Sequence, residues 1–545
     1  MQMPIFGYAE FVAAMALFAL IYTLTDTRYK FRAATSSVNL SAITQRTALT
    51  IGLGSLLTNL WYAQHLPIPV FLDSLPAWQT AFGFAFLAVM ILWVRTTHTA
   101  PPVFNVANSR RFKRQLLEYV VSGNEKDLGI VARELIRSAG PIIEAIPNRE
   151  GISRIALISP RSPAENMQVD ALELMQLMAT PRLCRAIAMQ TNEVALVFLN
   201  EIQRQKKYTD VTALFSKNVT RHMFDHKESL LFYEDHVYDH GFLARTKYFT
   251  NAAFGSYDLV EGLGAYGACS PLDATPAFYA PFDEIQLKVF GRCYLLTVTD
   301  YCQKAGVFQV SSALSRATDY IALQTEYLSD GSGILNYRDP AYASFSTACR
   351  IFQETLKLLD KLDGTRWDAI AAMGSDIPFH ELFAQQMFEI IGRAAHIRSD
   401  EKLCWEIQHN TTWRAFYYRG DFSGPSENIR RILNRLIMSE VNSLLAYANF
   451  HNSKVLAMCL NVLGFVPPGR QRGSRQERTL SRALLSWTRK YFAQVHAGNP
   501  RLREMLLTSN MSYDAENNCL VRYHFQGLND TIPTTKMYLR PAPVM

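Results

Sequence analysis

The sequence lacks the short motifs that mark several large enzyme classes. It contains no GxxxxGK[ST] phosphate loop, no GxSxG nucleophile elbow and no HExxH zinc motif. P-loop nucleotide hydrolysis, serine hydrolysis of the elbow type and zincin chemistry therefore have no motif to support them. The 8 cysteines include no CxxC pair, and all lie after residue 100. This scatter argues against a disulfide framework or a thiolate zinc site, and favours free thiols in a reducing compartment.

Charge is also scarce, at 19% of residues, and the formal net charge of +7 is too small to indicate nucleic-acid binding by itself. Hydrophobic residues make up 49% of the 545 residues. That proportion excludes a disordered or collagen-like chain. The length predicts two or three folding units with ample buried core.

Long apolar runs near the N-terminus predict a membrane module over residues 1–97, with spans at about 8–25, 47–64 and 75–95. The third is the clearest, because the 21 residues from Ser74 to Val94 carry no charge and Trp78 and Trp93 lie near its ends. Such a helix spans a hydrocarbon layer of about 30 Å with aromatic anchors at both interfaces. The alternative for the other two runs is a buried helix of a soluble protein.

The positions of lysine and arginine predict the topology. Basic residues are absent from the N-terminus and from the 64–76 connection. They lie between the first two spans and after the third: Arg28, Lys30, Arg32, Arg46, Arg95, Arg110, Arg111, Lys113 and Arg114. The positive-inside rule therefore predicts an integral inner- or plasma-membrane protein with its N-terminus outside and residues 97–545 in the cytoplasm. All the cysteines then lie on the reducing side.

The remainder of the chain predicts a mainly α protein: a large helical cytosolic domain with a minor β element near the C-terminus. We predict one helical lobe over 98–330 and another over 331–545, divided at the Gly- and Ser-rich stretch 329–333. Alternating residues in 519–525 and 531–539 predict a hairpin, and 152–158 predicts a strand. Gly262, Gly264 and Gly267 form a GxGxxG, but the prolines that follow favour a turn over a dinucleotide site.

A pattern His-x-x-Asp-His occurs twice within nineteen residues. Histidines four apart share a helix face, and with carboxylates they supply ligands for zinc, manganese or iron. The candidate metal ligands are His222, Asp225, His226, His236, Asp239 and His240. Both pairs can reach one ion only if the chain turns near Ser229, because a straight helix separates them by about 21 Å. The alternatives are a polar helix face and a pH-sensitive interface.

The spacing resembles the HxxEH signature of the inverted zincins, with aspartate where that family has glutamate. The shorter carboxylate does not reach the same water, so this departure weakens a protease interpretation.

A basic segment near the C-terminus predicts an anion- or phosphate-binding surface. Its arginines are Arg470, Arg472, Arg475 and Arg478. Arginine forks suit phosphates, and the aromatic residues that follow could stack on bases or sit at a lipid interface. The alternative is a solvated loop.

These features favour a membrane-anchored cytosolic sensor, effector or scaffold that oligomerises through its transmembrane helices. The layout is similar to that of membrane-bound proteins of bacterial stress or phage defence, by analogy of architecture alone. The expected partners are membrane lipid and further copies of the chain, with a protein partner and a nucleic acid or nucleotide ligand as weaker expectations. The competing interpretation is a membrane-tethered, metal-dependent hydrolase or nuclease that uses the 222–240 cluster.

Overall fold

The structure is a computed structural model. It describes residues 7–24, 26–64, 75–99, 101–148, 162–236, 247–273, 281–304, 311–328, 337–361, 378–397, 401–417, 425–465, 473–498, 500–523 and 534–540. The protein is 80% helical and has a small three-stranded sheet at its C-terminal end, which confirms the predicted mainly α class. The chain divides into two compact units, Met1–Ala253 and Phe254–Met545. The lobe boundary that we predict near residue 330 stays a prediction.

The helices of the N-terminal unit are α1 Tyr8–Leu24, α2 Thr27–Thr35, α3 Leu40–Ala63, α4 Leu75–Val94, α5 Ser109–Ser122, α6 Glu125–Glu134, α7 Ala139–Ala145, α8 Pro163–Met178, α9 Pro181–Gln190, α10 Asn192–Gln205, α11 Asp210–Asp225, α12 Leu230–His236 and α13 Tyr248–Phe254, which ends at the unit boundary. A π-helical turn, Arg95–Thr99, continues α4. A 3₁₀ turn, Ile136–Ser138, precedes α7.

The helices of the C-terminal unit are α14 Tyr257–Gly264, α15 Glu284–Lys304, α16 Ser312–Leu323, α17 Pro340–Asp360, α18 Pro378–Ala395, α19 Glu401–Trp405, α20 Arg414–Phe416, α21 Pro425–Ala446, α22 Phe450–Leu463 and α23 Arg475–Gly498. A π-helix, Glu406–Trp413, joins α19 to α20. Short 3₁₀ helices cover Pro271–Asp273, Glu326–Leu328 and Pro500–Leu506.

Capping residues explain where many of these helices begin. Ser162, Thr209 and Asn449 each form a reciprocal capping box, so the first unpaired backbone N–H groups of α8, α11 and α22 find acceptors. Proline stands in the first turn of α9, as the Thr180-Pro181 pair predicts.

Apolar residues at helical spacing in the sequence predict two continuous helices, over 182–206 and 211–240, and both are broken in the structure. The predicted 182–206 helix is interrupted at Thr191, where ψ is 49°. The predicted 211–240 helix ends at Asp225, because His226 adopts an extended conformation. Apolar spacing continues on both sides of each break, so periodicity alone does not reveal it. At the literal GxGxxG the structure has the predicted turn: Gly264 ends α14, and Gly267 has φ +70° in the turn that follows.

The C-terminal sheet is antiparallel, in the order β1-β2-β3, with β1 Met511–Asp514, β2 Cys519–Tyr523 and β3 Thr534–Tyr538. The predicted hairpin is confirmed by the pairing of Val521 with Lys536 in β2 and β3. The strand β1 is an addition that the sequence does not predict. The predicted strand 152–158 lies outside the described residues.

The predicted membrane module of three spans is not confirmed. Within the described residues, one helix, Pro76–Thr99, is long and apolar enough to cross a membrane by length and composition, with mean hydropathy 1.8. The described α1 has 17 residues, a rise of about 25 Å against a hydrocarbon layer of about 30 Å. In α3, Gln45, Arg46 and Asn59 interrupt the apolar sequence. Three crossings therefore remain a proposal.

Candidate functional site

A densely bonded site in the N-terminal unit is the junction around α2. This short helix follows α1, and it packs against α5, α6 and the π-turn that ends α4. Its sequence TRYKFRAAT alternates basic and aromatic residues, and Phe31 is buried against the rings of Phe112 and Tyr119. We call α2, α6 and the π-turn Arg95–Thr99 the α2 junction.

Arg32 is the central residue of the α2 junction. Its Nε donates to Glu134 Oε2 at 2.6 Å and its Nη2 donates to Glu134 Oε1 at 2.9 Å. Its Nη1 donates to the backbone oxygen of Thr97 at 2.9 Å. Bidentate arginine–carboxylate pairs are strong and fix orientation. One guanidinium therefore ties α6 to the end of α4.

The carboxylate of Glu134 has a second cationic partner, Arg28, whose Nε lies 3.2 Å from Oε1. The side chain of Glu134 is 9% exposed and that of Arg32 is 14% exposed. Salt and water screen a partly buried network much less than a surface ion pair. The two arginines predicted to mark the inner face thus meet one buried acid.

The π-turn explains why the Thr97 oxygen is free to accept this bond. Helix ends leave carbonyl groups without intrahelical partners, and π-turns are frequent at functional positions. Next to Thr97, the His98 ring lies 4.1 Å from the Tyr29 ring and 6.2 Å from Trp93, between centroids. Aromatic contacts of this kind hold the turn against α2.

Further bonds fix the chain on either side of α2. Thr27 Oγ1 donates to Asp127 Oδ1 at 2.7 Å, and Arg111 Nη1 donates to the Ser36 oxygen at 2.5 Å. Asn105 Nδ2 donates to Ser37 Oγ at 3.2 Å. The loop between α1 and α3 is therefore bonded along its length to residues that follow α4.

The helices α3 and α4 expose apolar stripes. On α3 and on α4 the exposed residues recur at helical spacing: Leu49, Leu53, Leu56, Leu57, Leu60 and Trp61, and Phe84, Leu87, Ile91 and Val94. By contrast, the small residues of α3 face other helices of this chain. A Cβ at Gly52 would lie 2.9 Å from the Phe11 ring, and one at Gly54 would lie 2.7 Å from the Phe82 ring. These glycines allow close packing within the chain.

The structure describes half of the candidate metal cluster. The rings of His222 and His226 are nearly parallel, with centroids 6.4 Å apart, and Arg221 Nε lies 3.8 Å from Asp225 Oδ2. Burial lowers the pKa of His222, and the neighbouring Asp225 partly offsets that shift. The chain does turn between Asp225 and Ser229, where Ser229 Oγ donates to the Met223 oxygen.

The second half of that cluster stays a prediction. Asp239 and His240 lie outside the described residues, as does the side chain of His236. Among the residues that are described, no group of three or more His, Cys, Asp or Glu side chains could hold a metal ion.

The basic segment is also described in part, because Arg470 and Arg472 fall outside the described ranges. Arg475 is 82% exposed, with its Nη1 3.9 Å from Glu427, and Arg478 Nη1 donates to the Gly473 oxygen. The aromatic residues Trp487 and Phe492 are buried in the C-terminal unit. Both pack in its core, whereas Tyr491, which lies between them in the sequence, is only partly buried, so stacking on bases stays a prediction.

Sequence reasoning missed the α2 junction because its partners are far apart in the chain. Arg32 enters the sequence argument only as a topology signal, and Glu134 follows it by 102 residues. The available signal was a short amphipathic helix, rich in arginine, between two apolar runs. Comparison with protein-family models, with curated proteins and with solved structures finds no match to this chain.

Proposed function

We propose that the protein is a membrane-anchored sensor or effector, in which a helical cytosolic domain controls membrane helices through the α2 junction. The observation that carries the proposal is the Arg32 guanidinium, which bonds Glu134 of α6 and the Thr97 carbonyl at the end of α4. A change in the helices that hold Glu134 alters the contact that holds the end of α4. Such a coupled contact is what a two-state membrane effector needs.

The junction also supports the proposed topology. Residues 27–37 bond to residues 97–134, so both segments lie on one side of any membrane that α3 and α4 cross. This arrangement agrees with the lysine and arginine distribution, which puts both on the cytoplasmic side. The N-terminus and the 64–76 connection then lie outside.

The exposed stripes of α3 and α4 support contact with lipid. Soluble monomers rarely expose contiguous apolar surface of this extent. Only 11% of the most apolar stretch of Pro76–Thr99 is buried. We propose that α1 and α3 cross the membrane beside α4, and that lipid or a second copy of the chain covers the outward stripes. A role in bacterial stress or phage defence is compatible with such an effector by architecture.

The metal-dependent hydrolase or nuclease remains the alternative prediction, with no described contact in its favour. The experiment therefore addresses the junction. In cells that express the full chain, Arg32→Met should change basal membrane permeability, measured with a potential-sensitive dye at matched protein level. Arg204→Met is the matched control, because Arg204 is 66% exposed and pairs with Glu201 on α10, outside the α2 junction. Permeability that is identical in wild type, Arg32→Met and Arg204→Met would overturn the proposal.

A further inference from the structure

Arg522 is a buried cation without a counterion among the described residues. It lies on β2 with 8% of its surface exposed, and its Nε has no hydrogen-bond partner within the part of the chain that the structure describes. No described carboxylate lies within ion-pair distance of its guanidinium, which has five N–H donors. Burial lowers the pKa of Arg522, as expected when the charged form loses its water. A buried charge that pairs with no described carboxylate is strongly unfavourable, so an anion bound beside it would stabilise the folded chain.

A second arginine adds positive charge to the surroundings of Arg522. Its Cζ lies 5.3 Å from the Trp405 ring, and Trp405 stacks on His409 with centroids 4.4 Å apart and planes at 11°. Burial, and after it the charges of Arg414 and Arg522, lower the pKa of His409, while Asn410 and Glu406 oppose the shift. The charges of two arginines therefore lower the pKa of the His409 imidazole, and the charge of one glutamate, Glu406, raises it.

Gly464 makes room for the guanidinium. It ends α22 with φ +66°, a conformation that only glycine adopts readily. A Cβ at this position would overlap Nη1 of Arg522. The arginine fork is thus held against a stretch of backbone that has no side chain to fill the space.

Buried amides fix the π-helix Glu406–Trp413, which carries His409. Asn461 Nδ2 donates to Gln408 Oε1 at 3.0 Å, and Asn510 Nδ2 donates to Asn461 Oδ1 at 2.9 Å. These side chains join the π-helix to α22 and to the residue before β1. A charged site on rigid elements is pre-organised, and π-helical segments are frequent at such sites.

We infer that Arg522, between Gly464 and the Trp405 ring, anchors a binding site for a phosphate-class oxyanion. The guanidinium fork matches two oxygens of such an ion, and the surplus positive charge favours a multivalent anion over a carboxylate. This site lies in the C-terminal unit and does not depend on the coupling proposed for the α2 junction.

Inorganic phosphate is the probe. The full chain in detergent micelles is held at constant ionic strength, and thermal unfolding is followed as phosphate replaces chloride. Wild type should show a saturable rise in Tm of about 2–4 °C. Acetate should give a much smaller rise. No saturable response, or an equal response to acetate, would overturn the inference.

The variants separate binding from structure. Arg522→Met should unfold no earlier than wild type in phosphate-free buffer, because it removes an unpaired buried charge, and should lose the phosphate response. Arg522→Lys, which keeps the charge without the fork, should bind phosphate about tenfold more weakly by titration calorimetry. The exposed control Arg350→Met should respond like wild type. A lower Tm for Arg522→Met in phosphate-free buffer, or a retained phosphate response, would show a structural role instead.

Discussion

Replacement of Glu134 by glutamine tests the energetics of the α2 junction. The substitution keeps the shape of the side chain and removes its charge. It leaves Arg32, which is 14% exposed, and Arg28, which is 36% exposed, without their common carboxylate. Thr97 still accepts its bond from Arg32, so the loss falls on the link between α2 and α6.

The expected cost lies between the values for buried and exposed pairs. Breaking a fully buried pair costs about 3–5 kcal/mol, whereas an exposed pair contributes about 0–1 kcal/mol. Since Glu134 is 9% exposed, whereas Arg28 is 36% exposed and partly screened by solvent, we expect a loss of about 2–3 kcal/mol in the free energy of unfolding. For a unit of this size that corresponds to about 4–12 °C in Tm.

The assay is thermal unfolding of the full chain in detergent micelles. Glu193→Gln is the matched control, because Glu193 pairs with Arg133 while both side chains are about half exposed, at 52% and 47%. It should change the free energy of unfolding by less than about 1 kcal/mol. In an Arg32→Met background, Glu134→Gln should cost about 1–2 kcal/mol less than in wild type. If Glu134→Gln cost no more than Glu193→Gln, the junction would not be a coupled, buried network.

Two further predictions concern the C-terminal unit. Burial lowers the pKa of His380 to about 4, so the folded protein holds its imidazole neutral. Protonation below the unfolded-state pKa of about 6.5 therefore favours the unfolded chain. We expect the free energy of unfolding to fall by about 3 kcal/mol in total as the pH is lowered from above 6.5 toward 4. In a series of Tm measurements against pH, His380→Gln should reduce this loss of stability at acid pH. An unchanged loss would contradict the role of His380. Gly291→Ala should lower the free energy of unfolding by about 1–3 kcal/mol, because a Cβ on α15 would overlap the Ile351 side chain of α17. The second substitution Ile351→Ala in the same chain should recover part of that loss. The open position Gly498→Ala is the control, and equal effects at the two glycines would refute the close approach.

The sequence predicts regular elements well where local signals agree. The helix Glu284–Lys304 has the bounds that its apolar spacing predicts, and the β2–β3 hairpin follows from alternation. It predicts poorly where tertiary contacts decide. Strand β1 has four residues, too few to show a pattern, and it forms because β2 supplies a partner. The break at Thr191 leaves the apolar spacing intact on both sides.

The sites show the same difference between what local sequence signals predict and what tertiary contacts decide. The positions of Arg28 and Arg32 predict a membrane side, but their partner Glu134 depends on how α2 packs on α6. The sequence does not distinguish Arg522 from other residues of a strand. Its contacts with Gly464 and Trp405 depend on the tertiary fold. Periodic burial is local information, whereas the pairing of distant charges is a property of the folded chain.

The central claim is that α2 lies on the cytoplasmic side, against the end of a membrane helix. Labelling of single engineered cysteines in intact cells, with a membrane-impermeant thiol reagent, measures this directly. One cysteine replaces Gln64, the exposed residue directly after α3. The other replaces Val38, which is exposed in the loop between α2 and α3. The account predicts that Gln64→Cys is labelled in intact cells, and that Val38→Cys is labelled only after permeabilisation. Labelling of Val38→Cys in intact cells, with Gln64→Cys protected, would contradict it.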